Sequence, residues 1–327
     1  MNAMDVGENH LITLIKRFEK RSTDIIRGIG DDGAVVRLKE GRYVFAQDGL
    51  TEHIHFEFSF TRPFYIGKKA IYVNASDILS MGALPLYFLV TIGIPDRLTT
   101  KEIMDIYRGI NVAAGEFHLT MLGGDTISTK SDFFIDVSMM GILITERYLG
   151  RNGARVGDLI AVTGYLGESA YGLKILKDGI RLDKKRLNRY VRRYINPRPP
   201  FELWKELIKT NIINAMMDIS DGLIIDLERM MNESKKSAKV YMEKIPIPNT
   251  LKRLSLEGLG LSGGEDFQFL FTFPEEKLSA IENIKRKGYV ISIIGEVTKG
   301  RGVKLYENGK RKNILKKGYE HFHQGQS

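Results

Sequence analysis

The chain has 327 residues, 43% hydrophobic and 27% charged, with a formal net charge of +9 and no cysteine. That length accommodates two domains with substantial cores, and the lack of cysteine excludes disulfides, thiolate metal sites and cysteine nucleophiles. No apolar run approaches the ~20 residues of a membrane span. Met1–Glu8 carries acids without an apolar h-region, so the cytoplasm is the expected compartment.

In chain order, Leu11, Leu14, Ile15 and Phe18 form a helical stripe. Residues 34–38 and 43–46 read as strands, with Asp48 at the end of the second. Pro63 suits the first turn of a helix running to Met81, on which Ile66, Ala70, Val73 and Asp77 share a face. A strand over 86–94 precedes a helix over 100–117 opened by a threonine cap. A short strand over 120–122 then delivers Gly123-Gly124-Asp125, and a long apolar strand covers 133–144. This alternation predicts an α/β or α+β domain through about residue 150.

The glycine-rich stretch 150–157 reads as a linker, giving domains 1–150 and 151–327. Beyond it come a strand over 159–163, a helix over 167–177 and a break at Asn196-Pro197-Arg198-Pro199-Pro200 followed by another helix. A strand over 215–217 hands over through Asp218–Asp221 to a helix over 223–233. Strands over 267–273 and 289–297 flank a helix over 275–287. Basic residues crowd 184–193 and 299–317. The first run alternates with Leu187, Tyr190, Val191 and Tyr194 as an amphipathic helix with a solvated face. With no helix-turn-helix, zinc-finger or RNP signature, the charge predicts solubility and steering of anionic substrates and no nucleic-acid partner.

Acidic residues recur in glycine-rich segments bordered by apolar runs: Gly28-Ile29-Gly30-Asp31-Asp32-Gly33, Ala46-Gln47-Asp48-Gly49, Asn74-Ala75-Ser76-Asp77, Gly123-Gly124-Asp125-Thr126, Asp218-Ile219-Ser220-Asp221-Gly222 and Ser262-Gly263-Gly264-Glu265-Asp266. Each alone reads equally well as a turn or a helix cap. Together they predict loops converging on one site. Magnesium takes oxygen ligands and, in phosphate-transfer sites, a few carboxylates plus the substrate's phosphates. Tight turns would also leave backbone N–H groups free to approach phosphate. No P-loop or full dinucleotide fingerprint occurs. His53 and His55 alternate as on one strand face, which admits a transition-metal pair, although no third ligand is in view.

The order of these motifs, with Met81-Gly82-Ala83 after Asp77 and the close Lys317-Gly318-Tyr319-x-His321-Phe322, resembles the thiamine-monophosphate kinase family from about Phe18 to Phe322. That family belongs to the aminoimidazole ribonucleotide synthetase-like superfamily. The resemblance implies an N-terminal sheet domain that pairs in a homodimer and a C-terminal α/β domain closing the nucleotide cleft. It also implies direct in-line phosphorylation of thiamine monophosphate by ATP with several Mg²⁺ ions, giving thiamine diphosphate. By the same resemblance, Asp31, Gln47, Asp48, Asp77, Asp125, Asp218 and Asp221 hold metal, and Asp48, Asp125 and Asp218 are central to catalysis. Tyr107, Gly124, Asp125, Arg151 and Ser220 contact ATP, and His55, Glu265 and Tyr319 face the thiamine compound. Family members carry hydroxyl residues where this chain has Ala46 and Gln47. A backbone carbonyl at Gln47 would preserve ligation, whereas loss of a hydroxyl ligand at Ala46 would leave one metal held more weakly or through water. Two alternatives remain open: another ATP-using member of the superfamily, and a degenerate nucleotide-binding module.

Overall fold

The computed structural model describes residues 8–19, 23–29, 33–179, 189–314 and 318–319. It divides into two compact units, Met1–Leu79 with Ala83–Glu146, and Ser80–Gly82 with Arg147–Ser327.

The first unit begins with α1 (Glu8–Ile15), which buries Leu11 and Ile15 as the stripe predicts. β1 (Ile25–Arg27) and β2 (Val35–Val36) make a short antiparallel pair, so only the middle of the strand expected over 34–38 is extended. Then follow β3 (Tyr43–Thr51), α2 (Pro63–Ser80), β4 (Ala83–Pro95), α3 (Thr100–Glu116), β5 (Thr120–Thr129) and β6 (Phe134–Leu143). The four longer strands form one sheet in the order β3-β6-β4-β5. Its pairs are antiparallel except β4–β5, which are parallel and joined through α3. Thr99 opens α3 with a reciprocal capping box to Glu102.

Two expectations about strand ends are corrected here. Asp48 lies inside β3, and Gly123-Gly124-Asp125 lies inside β5. Both strands continue because β6 and β4 run alongside and supply ladder partners as far as Thr51 and Thr129.

One sheet face carries Leu50, Val90, Ile92, Ile135, Val137 and Met139, all buried. α2 covers this face, with Ile78 close over Gly141. α2 and α3 cross at glycines: a Cβ on Gly67 would lie 2.0 Å from the Ile106 carbonyl oxygen, and one on Gly109 would lie 1.9 Å from that of Phe64. The other face exposes Phe45 (74%), Leu89 (44%) and Ile127 (42%) and carries a cleft of about 410 Å³ lined by Gln47, Thr91, Phe134 and Asp136 among others.

The second unit contains β7 (Asp158–Thr163), α4 (Glu168–Lys177), α5 (Arg189–Ile195), α6 (Phe201–Lys209), β8 (Ala215–Asp218), α7 (Leu223–Ser234), β9 (Ser237–Tyr241), α8 (Asn249–Arg253), α9 (Leu259–Ser262), β10 (Phe269–Pro274), α10 (Leu278–Arg286), β11 (Ile291–Thr298), β12 (Gly302–Glu307) and β13 (Lys310–Lys312). Its seven strands form a mixed sheet ordered β13-β12-β9-β11-β7-β10-β8, in which only β9–β12 are parallel. β10 lies between β7 and β8 and buries its first five residues, as an apolar run central to a sheet should. β9, β12 and β13 were not expected: β9 is short and buries the adjacent Ser237 and Ala238, while β12 and β13 are mostly half-buried or exposed, so none shows a clean apolar alternation.

Residues 150–157 are packed into this unit. A Cβ on Gly153 would lie 1.9 Å from the Asn214 carbonyl oxygen, and Ser234 Oγ donates to the Arg151 carbonyl at 2.7 Å. The basic helix is described from Arg189 onward, and Leu187 and its lysines lie outside the described residues. Tyr190, Val191, Tyr194 and Ile195 are its buried face. Arg189 and Arg193 both pair with the buried Glu168 at the start of α4.

Gly109→Ala should destabilise the chain by about 1–3 kcal/mol, because the new methyl group meets backbone that cannot rotate away. Chemical denaturation measures this, and an unchanged midpoint would contradict the helix crossing described.

Candidate active site

In the first unit the site is built around the β3–α2 contact. Asn74 Oδ1 accepts from Asp48 N at 2.9 Å, while Asn74 Nδ2 donates to the Asp48 carbonyl at 3.3 Å and to the Ala70 carbonyl at 3.0 Å. Asn74 is fully buried, so its amide locks the strand to the helix while satisfying its own donors and acceptor away from water. Asp77 follows three residues later, on the same helix face. Asp48 and Asp77 are thus placed by one contact.

Gln47 and Asp125 are arranged differently. Gln47 points to the open sheet face, where its Nε2 donates to Asp136 Oδ1 at 2.9 Å. Its side chain is separated from that of Asp48 because successive strand residues face opposite sides. Cross-strand register sets Asp125 level with Thr91, Asp136 and Gly49, one row along from Asp48, Val137, Val90 and Gly124. Asp125 is exposed, and its Oδ1 accepts from Thr126 N at 2.8 Å. Gly124 is required by close approach: a Cβ there would lie 1.7 Å from the Val90 carbonyl oxygen. Among the described residues no three His, Asp or Glu side chains gather as a ready metal cluster. Asp31 lies outside the described residues.

Tyr107 sits in the core of the unit, 3% exposed and stacked on Phe18 at 6.1 Å, and burial pushes its hydroxyl pKa up. The two histidines do not share a strand face. β3 ends at Thr51, and the chain turns through His53 at a φ of 68°. His53 Nδ1 contacts Glu57 Oε2 at 2.9 Å, whereas His55 Nδ1 accepts from Thr51 N at 3.0 Å. The transition-metal pair is therefore withdrawn. The contact to Thr51 makes Nδ1 of His55 the acceptor and leaves the ring proton of the neutral form on Nε2. Buried Lys69 also holds the His55 carbonyl through its Nζ at 2.8 Å.

In the second unit β8 ends at Asp218, which is 3% exposed, and the chain turns before α7. The amides of Ser220, Asp221 and Gly222 all donate to Asp226 Oδ2, at 3.2, 3.0 and 3.1 Å. This corrects the expectation that the turn leaves its N–H groups free for phosphate: the next helical turn already takes them. Arg229 Nη1 donates to Asp221 Oδ2 at 2.5 Å and to Asp226 Oδ1 at 2.8 Å. Burial, then the neighbouring Asp221 charge, pushes the Asp226 carboxyl up to about 6.

The carbonyls of the same turn receive two further segments. Glu265 N donates to Ser220 O at 2.7 Å, and Tyr319 N to Asp221 O at 2.9 Å. Asp218, Ser220, Asp221, Glu265 and Tyr319 are thereby brought together around one turn. Arg151 is not. Its carbonyl is tied to Ser234 at the far end of α7, roughly 16 Å along the helix from the Ser220–Asp221 end at 1.5 Å per residue. His321 and Phe322 lie outside the described residues.

Sequence reasoning missed Asn74, Lys69, Asp226 and Arg229 as parts of this arrangement. Asn74 stood within a quoted motif, but nothing local marks the other three. Their partners lie across a helix turn or a strand–helix contact that only packing creates.

Two α/β units, each holding backbone with a buried polar side chain beside aspartates, one set within strands and a helix and the other at a strand end and turn, are the arrangement that the family assignment explains. The chain belongs to the AIR synthase related protein family: the N-terminal domain model matches residues 30–143 and the C-terminal domain model residues 155–308. It is similar to thiamine-monophosphate kinases. That of Buchnera aphidicola subsp. Acyrthosiphon pisum is 34% identical, with 94% of this chain and 96% of the relative covered. That of Aquifex aeolicus is 33% identical, with 98% and 100% covered. Among solved structures, thiamine-monophosphate kinase from Stenotrophomonas maltophilia K279a superposes with a TM-score of 0.81 at 28% identity, covering 92% of this chain and 96% of that one. AaThiL, complexed with AMPPCP and TMP, gives a TM-score of 0.76 at 32% identity, covering 98% and 99%. No helix among the described residues is long and apolar enough to cross a membrane.

Asn74→Ala should cost about 1–3 kcal/mol, because it leaves the Asp48 peptide groups without their partner in a closed contact. Chemical denaturation of the full chain reads this, and a loss below about 0.5 kcal/mol would contradict the assigned lock.

Proposed function

We propose that this chain transfers the γ-phosphoryl group of ATP to the phosphate of thiamine monophosphate, giving thiamine diphosphate and ADP. The observation that carries the reading is similarity to thiamine-monophosphate kinases at 30–34% identity over nearly the whole chain. The AaThiL complex with AMPPCP and TMP supports the same pair of substrates.

The chemistry needs little from a general base. A phosphate monoester is largely dianionic near neutral pH, its second pKa being about 6, so the acceptor oxygen is already a nucleophile. What must be overcome is repulsion between two anions, which makes positioning and charge neutralisation the main tasks. The donor groups are all oxygen, the set magnesium accepts. Asp31, Asp48, Asp77, Asp125, Asp218 and Asp221, with the Gln47 carbonyl, would hold Mg²⁺ there, and the ion supplies neutralisation of phosphate charge. Asp48, Asp125 and Asp218 carry the catalytic share of that set.

On this reading, substrate roles fall to the remaining side chains. His55, with its proton on Nε2, donates a hydrogen bond to the acceptor's phosphate. The Glu265 carboxylate attracts the cationic heterocycle, on whose face the Tyr319 ring stacks. Tyr107, Gly124, Arg151 and Ser220 attend ATP, Arg151 through a guanidinium able to fork onto two phosphate oxygens. A homodimer formed through the first unit, acting in the cytoplasm, completes the reading. The exposed Phe45, Leu89 and Ile127 on the open sheet face support that pairing.

With ATP and Mg²⁺, ADP release should depend on thiamine monophosphate and yield thiamine diphosphate, and free thiamine or an aminoimidazole precursor should not substitute. Silence with that acceptor in folded protein removes the named reaction. Asp125→Asn should abolish turnover with the circular dichroism spectrum unchanged. Tyr319→Ala should raise KM for the thiamine compound more than KM for ATP, and equal loss on both would remove the stacking role.

A further inference from the structure

Two buried carboxylates in the second unit lie outside every expected ligand set, yet both act on the backbone that presents those ligands. Asp266 is 5% exposed and reaches across to the start of α4. Its Oδ2 accepts from Gly167 N at 2.6 Å and its Oδ1 from Ser169 N at 3.1 Å. Gly167, at a φ of 83°, gives α4 no side-chain cap of its own, so Asp266 caps the helix from 97 residues away.

The residues flanking Asp266 are both in the left-handed region without being glycine: Glu265 at a φ of 64° and Phe267 at 46°. Such conformations persist only where the surroundings over-determine them. Here they do. Glu265 N and Phe267 N are tied to the carbonyls of Ser220 and Ile219, at 2.7 and 2.9 Å, and Asp266 anchors the residue between them to α4. A Cβ on Gly264 would lie 2.7 Å from Ser220 O, so the loop also sits directly on the turn. The turn in turn hangs on fully buried Asp226, which accepts its three amides.

We propose that Asp226 and Asp266 are positioning residues: Asp226 shapes the Ser220–Gly222 turn, Asp266 aims Glu265, and the shared main-chain bonds make turn and loop one rigid element. The two anchors are not equivalent. Asp266 anchors the loop bearing Glu265 to α4 and bonds no amide of the turn itself, so its loss acts chiefly on the acceptor side. Asp226 holds the turn that carries Ser220 and Asp221 and that receives both Glu265 and Tyr319, so its loss acts on both substrates. The kinetic side of this inference rests on the proposed reaction, whereas the structural side stands apart from it.

Asp266→Asn and Asp226→Asn, made in the full chain, separate these roles. In Asp266→Asn the NH₂ must meet a backbone donor, whereas in Asp226→Asn it meets either the three turn amides or the Arg229 guanidinium, so the Arg229 link that also holds Asp221 is lost even where the turn amides keep their acceptor. Asp266→Asn should raise KM for thiamine monophosphate about tenfold, with kcat and KM for ATP within about twofold. Asp226→Asn should lower kcat and raise both KM values. Equal effects of the two variants on both substrates, or wild-type kinetics in both, would overturn the assignment. Hydrogen exchange supplies a readout independent of turnover and of variant folding. In the unmodified chain the amides of residues 220–222, Glu265 and Phe267 should open together, and unrelated rates would refute the single element. If thiamine monophosphate is not turned over, the reaction fails while the exchange result still decides whether turn and loop form one element.

Discussion

Three consecutive amides, those of Ser220, Asp221 and Gly222, converge on one oxygen of Asp226. A turn between a buried strand and a buried helix must place its N–H groups somewhere, because an unpaired amide out of reach of water is expensive. Directing them inward to a carboxylate on the next turn of α7 leaves the carbonyls of Ser220 and Asp221 for other donors, while Arg229 ties the Asp221 carboxylate to that of Asp226. Those carbonyls then receive the amides of Glu265 and Tyr319. The candidate site of this unit follows from that single choice of hydrogen-bond direction.

The first unit solves the same problem with a neutral group. Asn74 both accepts from and donates to the Asp48 peptide, a reciprocal pairing that a carboxylate, having no proton to give, would not make. One buried amide therefore fixes strand, helix and the spacing of Asp48 from Asp77. Both units use buried polar side chains as templates for backbone. The acids beside them range from exposed Asp48 through half-buried Asp77 and Asp221 to buried Asp218.

Much of the architecture was legible from sequence where one face of an element is buried and the other is not. The capped helix Thr100–Glu116, the helix begun by Pro63 and the β8–turn–α7 passage were all readable from periodicity and punctuation. Strand ends were not, because an aspartate or a glycine pair signals a turn locally while the ladder alongside holds the chain extended, as at Asp48 and Asp125. The histidine pair failed for the converse reason. The alternation of His53 and His55 imitates a strand, but the chain leaves β3 at Thr51 and turns.

The linear order of residues determined the family and the positions of the acid-bearing segments, since these depend on residue identity and spacing alone. Which face each acid leaves by was decided by tertiary structure. Gln47 and Asp48 are neighbours in sequence, yet one bonds to Asp136 on the open sheet face and the other to Asn74 on α2. The roles of Asp226 and Asp266 were decided there too, for the same physical reason. A buried carboxylate is defined by the amides it must satisfy, and those of Asp266 lie almost a hundred residues away along the chain.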